Sequence, residues 1–330
     1  MIVQSQSPRG LGSLLARGLT LEAGPFNIHL RSDVPGFAEV FGLLYRHARI
    51  HEGRDERIIH FTVSLQRAGG IRRLAAGQVR FLSDQESPFH PFPADHAFPL
   101  FEWGLNWCIA TQAHQYLLLH AAAVEKNGRA LILPARPGSG KSTLCAALIH
   151  RGWRLLSDEF GVVEGDGERL HALPRPAALK NESIGVLGAF ADEAVIGPEF
   201  PRTRKGRVAH VMPPPQSTVR ADEPAVPGWV VFPQFRTRVE TRLHPFPKGR
   251  AFLKLSGNAF NYRLLGPRAF RAVANIINRS STYYLEFDSL DHAVSVLDRM
   301  AESTPGADSQ TPSRGRTRRS TRTRSSASSG

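Results

Sequence analysis

Three short stretches of this chain carry residues whose types and spacing could do chemistry. The first is Gly138-Ser139-Gly140-Lys141-Ser142-Thr143, reached from an apolar strand, Leu131 to Leu133, through a Pro/Gly-rich turn and followed by a helix. Glycines let successive backbone N–H groups turn inward as an anion cradle without Cβ clashes. The N-terminus of the following helix adds unpaired N–H groups and a positive dipole end. In such a loop a lysine, here Lys141, reaches the outer phosphates of a nucleotide, and a serine hydroxyl, here Ser142, sits on Mg²⁺. Ala135 stands where the first glycine of the pattern normally falls. The second stretch is Asp158-Glu159, 17 residues after Lys141 and directly after a short strand from Trp153 to Leu156. Carboxylates at that point could hold Mg²⁺ or accept a proton. The third is His120, at the end of the apolar run Leu117–Leu119 and 21 residues before Lys141. A neutral imidazole could orient an acceptor or a carboxylate there, and a protonated one could neutralise charge developing near a γ-phosphate.

The elements that must position these residues are legible around them. Leu144, Ala147, Leu148 and Arg151 fall on an i, i+3, i+4, i+7 row after the loop, and Gly152 fits a helix C-cap. Leu117 to Val124 predicts the strand that bears His120, and Lys126-Asn127-Gly128 predicts the hairpin turn into the strand before the loop.

The segment from about residue 116 to 165 resembles the core of bacterial HPr kinase/phosphorylase, among the phosphoenolpyruvate-carboxykinase-like P-loop kinases. The resemblance is carried by the loop itself, by Arg151-Gly152-Trp153-Arg154-Leu155 ahead of the acidic doublet, and by the upstream His120. It implies an α/β fold with a mixed sheet and flanking helices. It implies that Ala135 and Gly138 to Thr143 bind ATP, that Ser142 with Asp158 and Glu159 holds Mg²⁺, and that His120, Lys141, Asp158 and Glu159 form the catalytic group. The family doublet is Asp-Asp, so Glu159 is one methylene longer than its counterpart; Asp158 is the preferred proton acceptor. Related kinases form rings, so the resemblance also implies homo-oligomers. The family's glycine-rich RGLG stretch is missing near residues 170–205, and the N-terminal part does not resemble its regulatory domain. The expectation is therefore an HPr-kinase-related, ATP-dependent kinase whose acceptor is a hydroxyl, foremost a serine on an HPr-like or other small protein. Two other readings stand beside it: an ATP-binding sensor or assembly module without phosphoryl transfer, and a small-molecule kinase.

The whole chain bounds these readings. Its 330 residues, 41% of them hydrophobic, can bury a substantial core in one large domain or two ordinary ones. No apolar run is long enough for a membrane span, and no basic-then-apolar leader opens the sequence, which points to the cytoplasm. Two cysteines, Cys108 and Cys145, make no disulfide framework, and no His/Cys spacing resembles a zinc site. Residues 303–330 carry six arginines and one aspartate and contribute +5 of the net +13. That Ser/Thr/Arg/Gly composition cannot bury enough surface to order itself, and a solvated tail is favoured over nucleic-acid binding.

The organisation expected is an N-terminal α+β region over 1–115, a kinase-like domain over 116–302 and a disordered tail over 303–330. Residues 1 to about 20 read as a loose lead-in. Strands are predicted at Phe26–Leu30, Ile58–Leu65 and Gln78–Leu82, with a helix near Gly36–Arg46, a loop over Ser87–Ala97 and a buried helix from Phe98 to Gln115. A turn at Gly165-Asp166-Gly167 leads to the run Leu170–Leu173. Phe200 to Pro227, rich in Pro, Arg and Lys, reads as a long flexible, substrate-facing excursion. A buried strand at Trp229–Phe232, a strand near Tyr283–Phe287, and helices at Ala251–Ala259, Pro267–Ile277 and Leu290–Met300 complete the pattern. Lys180, one of only six lysines, and Arg236, at the end of the Trp229 strand, are candidate phosphate or substrate contacts.

Overall fold

The structure, a computed structural model, describes residues 1–54, 57–68, 77–136 and 138–303. The arginine-rich segment expected to be disordered lies, from residue 304 onward, outside the described residues. The first part of the chain forms α1 (Pro8–Arg17), β1 (Leu19–Ala23), β2 (Phe26–Ser32), α2 (Phe37–Leu44), β3 (Ile50–Glu52), β4 (Phe61–Arg67), β5 (Gln78–Ser83), β6 (Phe92–Pro93) and α3 (Ala97–Gln112). Its strands make one six-stranded sheet in the order β3-β1-β2-β4-β5-β6. Alternation along β2 and β4 buries Phe26, Ile28, Leu30, Phe61, Val63 and Leu65 under α1 to α3, as period-2 patterning requires.

The second part begins with β7 (Leu117–Lys126), β8 (Arg129–Pro134), α4 (Lys141–Ile149), β9 (Arg154–Ser157), β10 (Phe160–Val163), β11 (Leu170–His171), β12 (Ala177–Lys180) and α5 (Glu182–Phe190). It continues through β13 (Phe200–Thr203), β14 (Gly206–Val211), α6 (Pro215–Val219), β15 (Val226–Phe235), β16 (Arg242–Pro245), α7 (Lys248–Gly257), α8 (Tyr262–Leu265), α9 (Pro267–Arg279), β17 (Ser281–Phe287) and α10 (Leu290–Glu302). The large sheet runs β11-β10-β7-β8-β15-β17-β16, with β9 also paired to β7. It is mixed: β15 is parallel to both β8 and β17, while β7, β10 and β16 run antiparallel to their neighbours. A small sheet, β12-β14-β13, stands beside it.

The long apolar run of β7 is explained by cover on both faces. Leu117, Leu119, Ala121 and Ala123 pack toward α7 and α9, and Ala122 and Val124 toward α4 and α10. Leu118, Phe160, Val162, Leu173 and Phe200 belong to the same apolar cluster as the N-terminal sheet and its helices.

Several sequence expectations are corrected. Residues 1–20 are no loose lead-in: Ser7 caps α1 by accepting from the Gly10 N–H, Pro8 takes the first turn, and Leu11, Leu14 and Leu15 bury one stripe. The fourth strand begins at Phe61 rather than Ile58, whose side chain is 79% exposed. The Ser87–Ala97 loop contains β6 and a 3₁₀ turn at Ala94–His96. Phe200–Pro227 is no flexible excursion but the hairpin β13–β14, the helix α6 and the start of β15. Val208, Ala209 and Val211 anchor the hairpin in the core, and Pro215 opens α6. Most other predicted elements form within a few residues of their expected ends. The Lys126-Asn127-Gly128 turn does join β7 to β8, with Asn127 and Gly128 both at positive φ.

Candidate functional site

Strand register brings the chemical residues to one place. Ala121 pairs with Pro134, so the glycine loop leaves the sheet at the level of the middle of β7. On the other edge of β7, Ser157 pairs with Ala123 and Phe160 with His120. Asp158 and Glu159 therefore stand opposite Ala122 and Ala121, in the gap between β9 and β10, where their side chains leave the ladder. The loop, the doublet and His120 meet at that level from three separate segments.

The loop has the conformation its glycines permit. Gly138 and Gly140 hold φ of +84° and +83°, and Gly140 is the cap from which α4 starts at Lys141. A Cβ on Gly140 would lie 3.0 Å from Phe287 and 3.1 Å from Phe235, so the loop also rests closely on the ends of β15 and β17. The Phe235 N–H donates to the Ser139 carbonyl at 3.0 Å, tying the two together. Ala135 is buried and has no positive φ, so the glycine usual at that place in the pattern is not needed for conformation here. The first turn of α4 presents Ser142 and Thr143, both half-buried.

Around the loop the charges are tightly arranged. The Lys141 ammonium, 9% exposed, donates to the Asp158 backbone carbonyl at 3.1 Å and lies 4.0 Å from a Glu159 carboxylate oxygen. The other Glu159 oxygen is 3.5 Å from His120 Nε2. Burial would raise the Glu159 carboxyl, but the hydrogen bond from His120 and the charge of Lys141 outweigh it and pull it down to about 2. Asp158 behaves oppositely. Burial, with the neighbouring Glu159 charge adding to it, holds its carboxyl above the usual range despite Lys141 and the Ser142 hydroxyl. Asp158 Oδ2 accepts from the Ala178 N–H at 3.2 Å, while its Oδ1 is buried with no hydrogen-bond partner, as is the Ser139 hydroxyl. Buried polar atoms of this kind are completed in native proteins by ordered water or a bound ligand.

His120 is fixed by its backbone and its ring. Its N–H donates to the Asn258 carbonyl at 2.7 Å, and its imidazole lies 5.2 Å from the Phe260 ring. Asn261 braces the same strand, accepting from the Leu118 N–H at 3.0 Å and donating to the Tyr116 carbonyl at 2.8 Å.

The two outlying candidates separate. Lys180, at the end of β12, shares the field of the site: burial and the charge of Lys205 lower its ammonium, while Glu159 and Asp158 pull the other way. Arg236 does not join the group. Its guanidinium, 57% exposed, pairs with Glu286 at 3.1 Å, although its backbone N–H bonds the Phe287 carbonyl beside the loop. Lys205 was missed by sequence reasoning. It sits in the turn of the β13–β14 hairpin, its charge acts on both Glu159 and Lys180, and its ammonium lies over the Trp103 ring. The signal was the run Arg202-Thr203-Arg204-Lys205-Gly206-Arg207, whose Lys-Gly pair fits a hairpin turn.

On the other side of the loop a cleft of about 540 Å³ opens between Pro134, Ala135, Arg136 and Ser139, the end of β15, and α7. Phe232, Tyr284 and the Lys254 stem line it, and the Lys254 ammonium lies 5.3 Å from the Phe232 ring and 5.7 Å from the Tyr284 ring. The whole arrangement is a glycine turn at the N-terminus of α4 beside the Lys141 ammonium, two carboxylates of opposite protonation tendency, one imidazole and an amphipathic cleft.

No protein-family model matches this chain. No curated protein matches it either. Among the described residues, no helix is long and apolar enough to cross a membrane.

Proposed function

We propose that this chain is an ATP-dependent phosphotransferase of the HPr-kinase-related, P-loop type, moving the γ-phosphoryl group of ATP to a hydroxyl, foremost a protein serine. The observation that carries the reading is the convergence of Lys141, Ser142, Asp158, Glu159 and His120 at the mouth of the Gly138–Thr143 loop. In this reading the loop N–H groups and the α4 N-terminus hold the phosphates, and Lys141 spans from them toward the acidic pair. The cleft beside the loop, with its rings and the Lys254 stem, is of a size and lining that suit a nucleoside.

The donor set also suits a magnesium ion. That cation takes one or two carboxylate or hydroxyl ligands from protein, with phosphate oxygens and waters completing it. The unpaired Oδ1 of Asp158 and the adjacent Ser142 hydroxyl offer such a set. When bound, Mg²⁺ supplies neutralisation of charge on the phosphate oxygens.

Two observations favour Glu159 over Asp158 as the group that meets the acceptor. The Glu159 side chain is 31% exposed, whereas Asp158 is 7% exposed and engaged with Ala178 and Ser142. An acceptor hydroxyl can approach Glu159 and pass its proton to that carboxylate as its oxygen attacks the γ-phosphorus in line and the bond from that phosphorus to the β,γ-bridging oxygen breaks, releasing ADP, with His120 holding the carboxylate in place. Lys141 and Lys205 offset the negative charge that gathers there. We assign the reaction to the cytoplasm, where ATP is abundant; Cys108 and Cys145 are both free and buried, in keeping with a reducing compartment.

The test is Mg-ATP affinity and phosphoryl transfer for wild type, Lys141→Ala, Asp158→Asn and Glu159→Gln, with labelled ATP and a host lysate. Expected are a labelled protein with wild type only, nucleotide binding lost in Lys141→Ala, and binding retained without transfer in Glu159→Gln. Binding with no transfer to any protein or metabolite would leave the sensor reading, and no binding at all would overturn the proposal.

A further inference from the structure

The segment from Phe246 to Ser280, which supplies α7, α8 and α9, contains seven lysines and arginines and not one acidic residue. Arg250, Arg263 and Arg271 are exposed and form no salt bridge with any described residue. Large apolar side chains stand among them: Leu264 is 65% exposed and Phe270 is 55% exposed, with the Phe270 ring stacked edge-on against Phe252. A water-facing helix layer with bare leucine, bare phenylalanine and unpaired arginines is an unfinished surface. It is also fastened to the candidate site. The linking residues Asn258 to Phe260 bond the β8-side edge of β7 at Leu118 and His120, beyond the end of β8, and the Phe260 ring lies on His120.

We infer that the α7–α9 shelf is a docking surface for an acidic protein segment with exposed apolar side chains. Its position beside His120 makes that segment the carrier of the acceptor hydroxyl, an identification that rests on the phosphotransfer reading. Charge decides among the occupants. A second copy using the same face would set the unpaired Arg250, Arg263 and Arg271 against their own counterparts, at a repulsive cost. The chain's own residues 304–330 carry six arginines and are repelled for the same reason. Nucleic acid would use the cations and the exposed Phe270 ring, but it leaves the exposed Leu264 side chain uncovered. An acidic, apolar-spotted protein satisfies both features.

The experiment uses the full chain and three fluorescent probes. These are an 18-residue amphipathic peptide of Asp, Glu, Leu and Phe, its counterpart with lysine for every acid, and a 20-base-pair DNA duplex. Two double variants, Arg263→Glu with Arg271→Glu and Leu264→Ser with Phe270→Ser, are compared with wild type, each checked for unchanged melting temperature and Mg-ATP affinity. The acidic peptide is expected to bind wild type and to lose about tenfold or more in affinity with either variant, with binding weakened by 0.5 M salt. The lysine peptide should not bind. Acidic-peptide affinity that neither variant changes would overturn the inference. So would DNA binding lost only in the charge variant, or concentration-dependent self-association abolished by Leu264→Ser with Phe270→Ser. Peptide binding by a protein that fails to bind Mg-ATP would remove the phosphotransfer reading and leave the docking surface standing. Mg-ATP binding without peptide binding would do the reverse.

Discussion

Neutralising two adjacent carboxylates should move the stability of this protein in opposite directions. Glu159 is held ionised down to about 2, against 4.5 for a free glutamate. By proton linkage that difference amounts to about 3 kcal/mol at neutral pH in the absence of solvent screening. The side chain is 31% exposed, so water reduces the figure to about 1–2 kcal/mol. Because its folded value is depressed, this contribution is present above pH 4.5 and is lost as pH falls from there toward 2. Asp158 has a raised folded value, so its favourable contribution is fully present below 3.8 and is lost as pH rises through that folded value. At pH 7 its charge is a net burden on the fold. Glu159→Gln should thus lower the melting temperature at pH 7 by roughly 2–8 °C, at about 2–4 °C per kcal/mol. Asp158→Asn keeps an oxygen for the Ala178 N–H and should raise it, even while transfer is lost. Thermal unfolding from pH 3 to 8 reads both effects. The Glu159→Gln deficit should shrink below pH 4.5, and the Asp158→Asn gain should vanish in acid. Shifts of the same sign at pH 7 would refute the electrostatic account, whatever happens to activity.

Other substitutions test the scaffold. Gly140→Ala meets both positive φ and close contact with the Phe287 ring and the Phe235 Cβ, and should cost about 1–3 kcal/mol with at least a tenfold loss of Mg-ATP affinity by calorimetry. Asn261→Ala leaves the Leu118 N–H and Tyr116 carbonyl unpaired in the interior, a loss of about 2–3 kcal/mol measurable by urea unfolding. Arg236→Ala breaks only an exposed pair with Glu286 and should change stability by less than about 0.5 kcal/mol, with Mg-ATP affinity unaltered.

The sequence by itself determined the loop, the doublet and the strand of His120, because each is local. Glycines at 138 and 140, the helix behind them and the Asn127-Gly128 turn follow from backbone sterics and short-range periodicity. Less was legible where proline and arginine suggested disorder. The Phe200–Pro227 stretch is ordered because Ala209 and Val211 reach a core that includes Ala146, far away in sequence, and Val208 is buried beside them. The capping serine and leucine stripe of α1 were present in the sequence, but their partners on α2 and β2 are not adjacent to them. Tertiary structure alone decided that the charge of Lys205 is felt at Glu159 while Arg236 turns away to Glu286. It alone divided the carboxylates into one buried with a raised value and one held low by His120 and Lys141. Desolvation and charge pairing depend on which groups the chain brings within a few ångströms, and strand register across distant segments sets those distances.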